Sequence, residues 1–201
     1  MCNAYNVQAK VGAKELCEVI SGVIRQLPSS LVRRCGPGVV VTGQVHGLKP
    51  QIMRWAFEHP KYKAVNNARA TSLKSPYWAE SLQERRCIVP ISTFYEWEEA
   101  PQGKAKKCYQ FRRPDGEWMW IAGIYQHFTS HGNCYATITT DPTPAVAAIH
   151  DRMLAVMDWD AALAFLAKDF TPISPYSGEI IINLCESPLK HPRDLGQGEL
   201  F

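Results

Sequence analysis

The sequence predicts an α+β domain, rich in β-strand, with mainly antiparallel sheet and a few peripheral helices. Three observations lead there. Short runs rich in valine, isoleucine and aromatic residues outnumber helical patterns. Those runs do not alternate with helices, as a parallel βαβ fold would require. The composition is that of one packed domain: 201 residues, 46% hydrophobic and 20% charged. Residues 1–201 therefore read as a single domain, ending in a polar tail from about residue 186.

Taken in order, residues 13–27 predict an amphipathic helix: Leu16, Val19, Ile20, Val23, Ile24 and Leu27 keep helical spacing, and Pro28 ends it. Gly38 to Val45 is valine-rich and predicts a strand. Ile52 to Phe57 predicts a second one, bounded by Pro50 and Pro60. Ser75-Pro76 has the form of an N-cap followed by proline at the first helical position, so 76–84 predicts a short helix. Cys87-Ile88-Val89 predicts a strand ending at Pro90. Cys108 to Arg113 and Glu117 to Tyr125 flank Pro114-Asp115-Gly116, a hairpin signal. Tyr135 to Thr140 is a further strand closed by Asp141-Pro142, and Val146 to His150 a helical turn. Residues 159–167 predict a helix and Ile180 to Leu184 a last strand. Lys104 to Lys107 reads as a solvated loop at a hairpin tip.

Composition excludes several classes. No apolar run approaches the roughly 20 residues of a membrane-spanning helix, and the first residues lack the basic-then-apolar layout of an export signal. A cytoplasmic chain with no membrane partner is the expectation. The formal charge of +3 is too small to imply nucleic acid by itself, but it permits it if the charge is focused in one groove. Seven cysteines are present, none spaced as C-x-x-C, so zinc-finger and thioredoxin-like readings fail. No His-x-x-x-His or carboxylate pairing forms a metal site, and no cofactor motif appears; neither a metal nor a cofactor is expected.

Four places carry candidate chemistry. Removal of Met1 would leave Cys2 with a thiol and an α-amine on adjacent carbons. The amine could form a Schiff base with an aldehyde, and the thiol could then close a five-membered thiazolidine. The plain alternative is a cysteine that happens to follow the start. In Asn66-Asn67-Ala68-Arg69-Ala70, Asn67 and Arg69 sit two apart on an extended segment and face one side, offering an amide and a guanidinium to a phosphate or sugar; the alternative is an Asn-Asn turn. Glu96 lies within Phe94-Tyr95-Glu96-Trp97, where desolvation would raise its pKa into a range useful for acid–base work; the alternative is an exposed edge-strand glutamate, as Glu98 and Glu99 read. His150 follows the apolar run Ala145 to Ile149 and could carry protons, or be a core histidine bonded to backbone.

Each signal is weak alone, but their order is not. Met-Cys at the start, Met53-Arg54-Trp55, Asn67-Ala68-Arg69-Ala70, Arg86-Cys87-Ile88-Val89-Pro90 leading to Phe94-Tyr95-Glu96-Trp97, Thr139-Thr140, and Ile149-His150-Asp151-Arg152-Met153 together resemble the SRAP (SOS response-associated peptidase) family, whose members crosslink to abasic sites in DNA. The resemblance runs from Cys2 to about Met157. It implies that Met1 is lost and that Cys2 captures the ring-opened deoxyribose of an abasic site in single-stranded DNA as a thiazolidine. Asn67 would position the Cys2 end, Glu96 would serve as the acid–base group, and His150 would bond the opened sugar and shuttle a proton. Arg69 and Arg152 resemble phosphate ligands, and Trp55 and Trp97 walls of the DNA channel. The implied protein is a monomer acting on single-stranded DNA, at the nucleoid in a bacterium. Self-removal of the N-terminal residue by the Cys2 thiol, or DNA binding without chemistry, are the alternative activities. The pattern breaks at Asn3-Ala4, where the family has Gly-Arg, and at Ala56 and Thr71-Ser72. With Ala4 in place of arginine, one phosphate contact is expected to be missing.

Overall fold

A computed structural model of the chain describes residues 2–10, 15–44, 47–98, 106–169 and 174–189. Its elements, in chain order, are β1 (Ala4–Asn6), α1 (Glu15–Ile24), β2 (Leu31–Arg33), β3 (Pro37–Gln44), β4 (Gly47–Trp55), β5 (Phe57–His59), β6 (Lys63–Val65), β7 (Asn67–Arg69), α2 (Ala79–Glu84), β8 (Arg86–Ile91), β9 (Thr93–Trp97), β10 (Cys108–Arg112), β11 (Met119–Phe128), β12 (Gly132–Thr140), α3 (Pro144–Ala147), β13 (Met153–Leu154), β14 (Val156–Met157), α4 (Trp159–Leu166) and β15 (Ile181–Cys185). The β-rich α+β expectation holds, and the sheets are mainly antiparallel. Among the described residues, parallel pairing occurs where β12 meets β4 and β7.

Two curved sheets divide the work. In the larger, β12, β4, β3, β8 and β11 follow one another, and β11 pairs back onto β12, so the five strands close into a small barrel. Closure removes the sheet edges. Val39, Val40, Val41, Ile88, Val89, Ile121, Ile124 and Ile138 are buried in the core. The smaller sheet has the order β15-β10-β9-β1-β2. It holds the start of the chain in its middle, with Tyr5 opposite Phe94 of β9 on one side and Val32 of β2 on the other.

The barrel geometry explains where sequence expectations fail. Two prolines read as strand boundaries lie inside strands: Pro50 opposite Val41, and Pro90 opposite Trp120. At Pro50, β4 has only β3 beside it, since β12 joins only at Arg54 and Trp55. At Pro90, β8 has only β11, because β3 pairs no further than Ile88. A missing N–H is tolerated where one flank of a strand is open. The Pro114-Asp115-Gly116 turn forms, with Gly116 at φ +70°, yet it makes no hairpin. β10 before it pairs with β9 and β15, while β11 after it enters the barrel. Local turn chemistry specifies a reversal and cannot say which sheet receives the next strand.

Smaller differences follow the same logic. Ser75 does not cap a helix: residues 76–78 form turns and α2 starts at Ala79. In α1, Ile20 and Ile24 are buried as the periodicity predicts, but Val19 is 51% exposed because it lies at the rim of the apolar stripe. The short helix α4 keeps its N-cap, where Asp158 Oδ1 accepts from the Ala161 N–H at 2.8 Å. Half of the expected loop at Lys104 to Lys107 and the end of the polar tail lie outside the described residues. Among the described residues no helix is long and apolar enough to cross a membrane.

Candidate active site

The start of β1 is where the candidate residues meet. Cys2 is fully buried. Antiparallel pairing of Tyr5 with Phe94 directs residue 2 toward the Glu96 end of β9. Two amides then hold its backbone: Asn66 Nδ2 and Asn67 Nδ2 both donate to the Cys2 carbonyl oxygen, at 3.0 and 2.9 Å. The thiol donates to the Ala4 carbonyl at 3.2 Å. Burial, reinforced by the nearby Glu96 carboxylate, pushes the Cys2 thiol far above its ordinary range. The sulfur is therefore held as a thiol, not a thiolate.

Asn67 and its partners come from a parallel pairing that local sequence does not announce. β7 lies beside the end of β12 with Asn67 opposite Thr137 and Arg69 opposite Thr139. Thr137 Oγ1 donates to Asn67 Oδ1 at 2.8 Å. That bond occupies the amide oxygen and turns the Nδ2–H toward Cys2. Asn67 and Arg69 lie two apart on β7 as expected, Asn67 buried and Arg69 exposed.

Glu96 is 1% exposed, on β9 between Tyr95 and Trp97. Burial lifts its carboxyl to a pKa of about 7, against the pull of the chain's positive N-terminal amine; Asp151 adds to the rise and Arg152 opposes it. The exposed-glutamate alternative is thereby excluded for Glu96. Glu98 is only partly exposed and receives a hydrogen bond from Tyr109 at 3.3 Å. Glu99 lies outside the described residues.

His150 reaches Glu96 from another element. The turn after α3 is anchored by buried Val146, whose carbonyl accepts the His150 N–H at 2.9 Å. His150 Nε2 then stands 4.0 Å from Glu96 Oε2. Its Nδ1 faces two groups, the Arg152 backbone N–H at 3.1 Å and Asp151 Oδ1 at 2.9 Å. When Nδ1 accepts from Arg152, the ring proton sits on Nε2, toward Glu96. When the ring is protonated, Nδ1–H has Asp151 as its partner. The histidine can thus gain and lose a proton without moving.

The arginines flank this group. The Arg152 guanidinium donates to Thr139 Oγ1. Burial lowers its pKa, with a further contribution from the like charge of Arg69. Arg69 and Arg152 therefore form one cationic patch across the β7–β12 end. Trp97 is partly exposed and packs against Ala4, Tyr95 and Cys108. Trp55 requires a correction. It is fully buried, edge-on to Tyr5 at 5.0 Å, and its Nε1–H donates to the Asn66 carbonyl at 3.0 Å. It stands behind the site and is no wall of a channel, because its ring is enclosed between Tyr5 and Tyr135. Sequence reasoning also left Asn66 and Thr137 without a role. Strand alternation would turn Asn66 away from the side Asn67 faces, and a lone threonine in an apolar strand carries no signal.

Ala4 is fully buried against Tyr95 and Cys108. The departure from Gly-Arg therefore puts a small, buried side chain at position 4.

Cys2, a buried carboxylic acid, a histidine and two arginines thus lie together where β1, β9, the β7–β12 pair and the turn after α3 meet. The pattern of the SOS response associated peptidase (SRAP) family matches residues 26–178, and the chain belongs to that family. It is similar to the abasic site processing protein YoaM of Bacillus subtilis, 29% identical over 103 residues, which cover 49% of this chain and 45% of that one. It is also similar to the abasic site processing protein HMCES of Gallus gallus, 28% identical over 154 residues, covering 66% of this chain and 46% of that one. The chain thus matches a little under half the length of these relatives. A crystal structure from Bacteroides thetaiotaomicron superposes with a TM-score of 0.74 at 19% identity over 96% of each chain. Another, from Bordetella bronchiseptica, gives 0.71 at 16% identity, covering 92% of this chain and all of that one. Both share the fold.

Proposed function

We propose that this protein processes abasic sites in single-stranded DNA by forming a thiazolidine between Cys2, freed of Met1, and the ring-opened deoxyribose. The observation that carries the reading is the placement of Cys2: two amides grip its carbonyl, and the buried acid Glu96, with a pKa of about 7, lies beside its thiol.

The chemistry follows from the protonation states. A buried neutral thiol is a poor first nucleophile, so the α-amine of Cys2 attacks the aldehyde carbon. Protonated Glu96 gives its proton to the carbinolamine hydroxyl, which leaves as water, and a protonated Schiff base remains. The Glu96 carboxylate then takes the thiol proton as sulfur bonds to the same carbon. The ring closes to a thiazolidine and Glu96 returns to its starting form. Aldehyde and aminothiol have combined with loss of one water. His150 acts one step earlier. A sugar oxygen about 2.8 Å from both His150 Nε2 and Glu96 Oε2 fits across their 4.0 Å separation. From there the protonated histidine gives its proton to the ring oxygen as the ring C–O bond breaks, and the anomeric hydroxyl releases its proton to water as it becomes the aldehyde oxygen. Arg69 and Arg152 take the flanking phosphates, and Trp97 offers a partly exposed ring beside the strand.

The test is a uracil-derived abasic oligonucleotide run with the protein on a denaturing gel, with intact mass of the product. A covalent band whose mass is protein without Met1, plus DNA, minus one water supports the reading. Noncovalent binding with no such band refutes it. Release of the N-terminal residue with no DNA adduct would instead identify an autopeptidase.

A further inference from the structure

We infer that Asn66 is a positioning residue for Cys2, fixed in place by Trp55 and Thr137. This rests on the reading of Cys2 as the nucleophile. Residues 66 and 67 are consecutive, and on a regular strand their side chains would point to opposite faces. Here both amides reach one atom, because Asn66 lies in the break between β6 and β7.

The break is held open by two donors on the Asn66 carbonyl, Trp55 Nε1–H at 3.0 Å and the Thr137 N–H at 3.0 Å, while the Thr137 hydroxyl proton goes to Asn67 Oδ1. Trp55 is itself immobilised between Tyr5, edge-on at 5.0 Å, and Tyr135, stacked at 6.4 Å. Asn66 is 5% exposed, so water does not compete for its amide.

The consequence concerns rotation. Once Met1 is gone, the amino side of Cys2 has no peptide bond to restrain it. Turning about the Asn3 N–Cα bond would then swing the Cys2–Asn3 peptide plane, and with it the amine and the thiol, away from Glu96. Two donors on the Cys2 carbonyl occupy both of its lone pairs and fix that peptide plane. Asn67 alone would leave it one donor. Asn66 touches neither the reacting carbon nor the DNA in this arrangement; it acts through Cys2.

The test compares single-turnover crosslinking with noncovalent binding. The crosslinking substrate is a single-stranded oligonucleotide with one abasic site. The binding probe carries a tetrahydrofuran in its place, which has no aldehyde. Asn66→Ala is expected to slow crosslinking between about ten- and a hundredfold, with affinity for the tetrahydrofuran oligonucleotide unchanged. Asn66→Asp has the same shape and gives a second readout. Its neutral carboxyl can donate to the Cys2 carbonyl and its carboxylate cannot, so its rate relative to wild type should fall as pH rises. Trp55→Phe keeps a packed ring without the N–H and should fall between Asn66→Ala and wild type. If Asn66→Ala crosslinks at the wild-type rate, or Asn66→Asp follows the wild-type pH profile, this inference is overturned alone. If the wild-type chain forms no adduct, the functional reading fails and this inference fails with it.

Discussion

Glu96→Gln separates chemistry from folding in one variant. In the folded chain the Glu96 carboxyl titrates at about 7, above the ordinary 4.5. The folded state therefore holds this proton more tightly than the unfolded state does. Below pH 4.5 both states are protonated and the shift costs nothing. As pH climbs from 4.5 to 7 the unfolded carboxyl ionises first, and folding is increasingly disfavoured; above 7 the penalty is constant. At about 1.4 kcal/mol per unit, it reaches about 3 kcal/mol. Glutamine has no charge to bury, so Glu96→Gln should gain stability on wild type across that window. Urea unfolding at pH 4.5 and pH 8 would show the two midpoints separating as pH rises. Catalysis should move the other way. Removing a positioned acid costs about 10²–10⁴-fold, and the remaining rate should lose its decline above pH 7. Wild type should give a bell-shaped profile, rising as the Cys2 amine, ordinarily near pKa 8, becomes neutral, and falling as Glu96 ionises. The assay is single-turnover crosslinking from pH 5 to 9. A Glu96→Gln protein that matches the wild-type rate throughout would show that Glu96 only fills space.

Three further outcomes are expected. Cys2→Ser keeps the amine but lacks the sulfur, so its adduct should survive a denaturing gel only after borohydride reduction; a borohydride-independent adduct would place the bond elsewhere. Ala4→Arg should lower the melting temperature without tightening DNA binding, since position 4 is fully buried and a guanidinium there would be desolvated; tighter binding in a filter assay would mean that β1 can shift. Arg69→Ala should weaken binding to all sequences alike and reduce the salt slope by about 0.7 for one lost single-strand phosphate contact; an unchanged slope in a salt titration would remove Arg69 from the phosphate path.

Sequence by itself determined what depends on period and residue type. The strand runs at Val39 to Val41, Ile88 and Tyr135 to Thr140 were legible because side-chain alternation and β-branched composition report burial directly. So was the α4 helix. The chemical character of Cys2, Glu96 and His150 was legible too, since only those groups offer an aminothiol, a desolvatable acid and a neutral-pH proton carrier. What only the tertiary structure decided are relations across the chain. The return of β11 onto β12 that closes the barrel is one, and the passage of Pro50 and Pro90 through strands with one open flank another. The same holds for the exit of β11 from β10's sheet after a turn that locally looks like a hairpin. At the site it was again long-range contacts that chose roles. Trp55 and Asn66 lie eleven residues apart in sequence, and Thr137 lies 71 beyond Asn66. Their meeting depends on the parallel pairing of β7 with β12, which no local pattern encodes. A hydrogen bond to a carbonyl specifies nothing until the fold has brought its donor there.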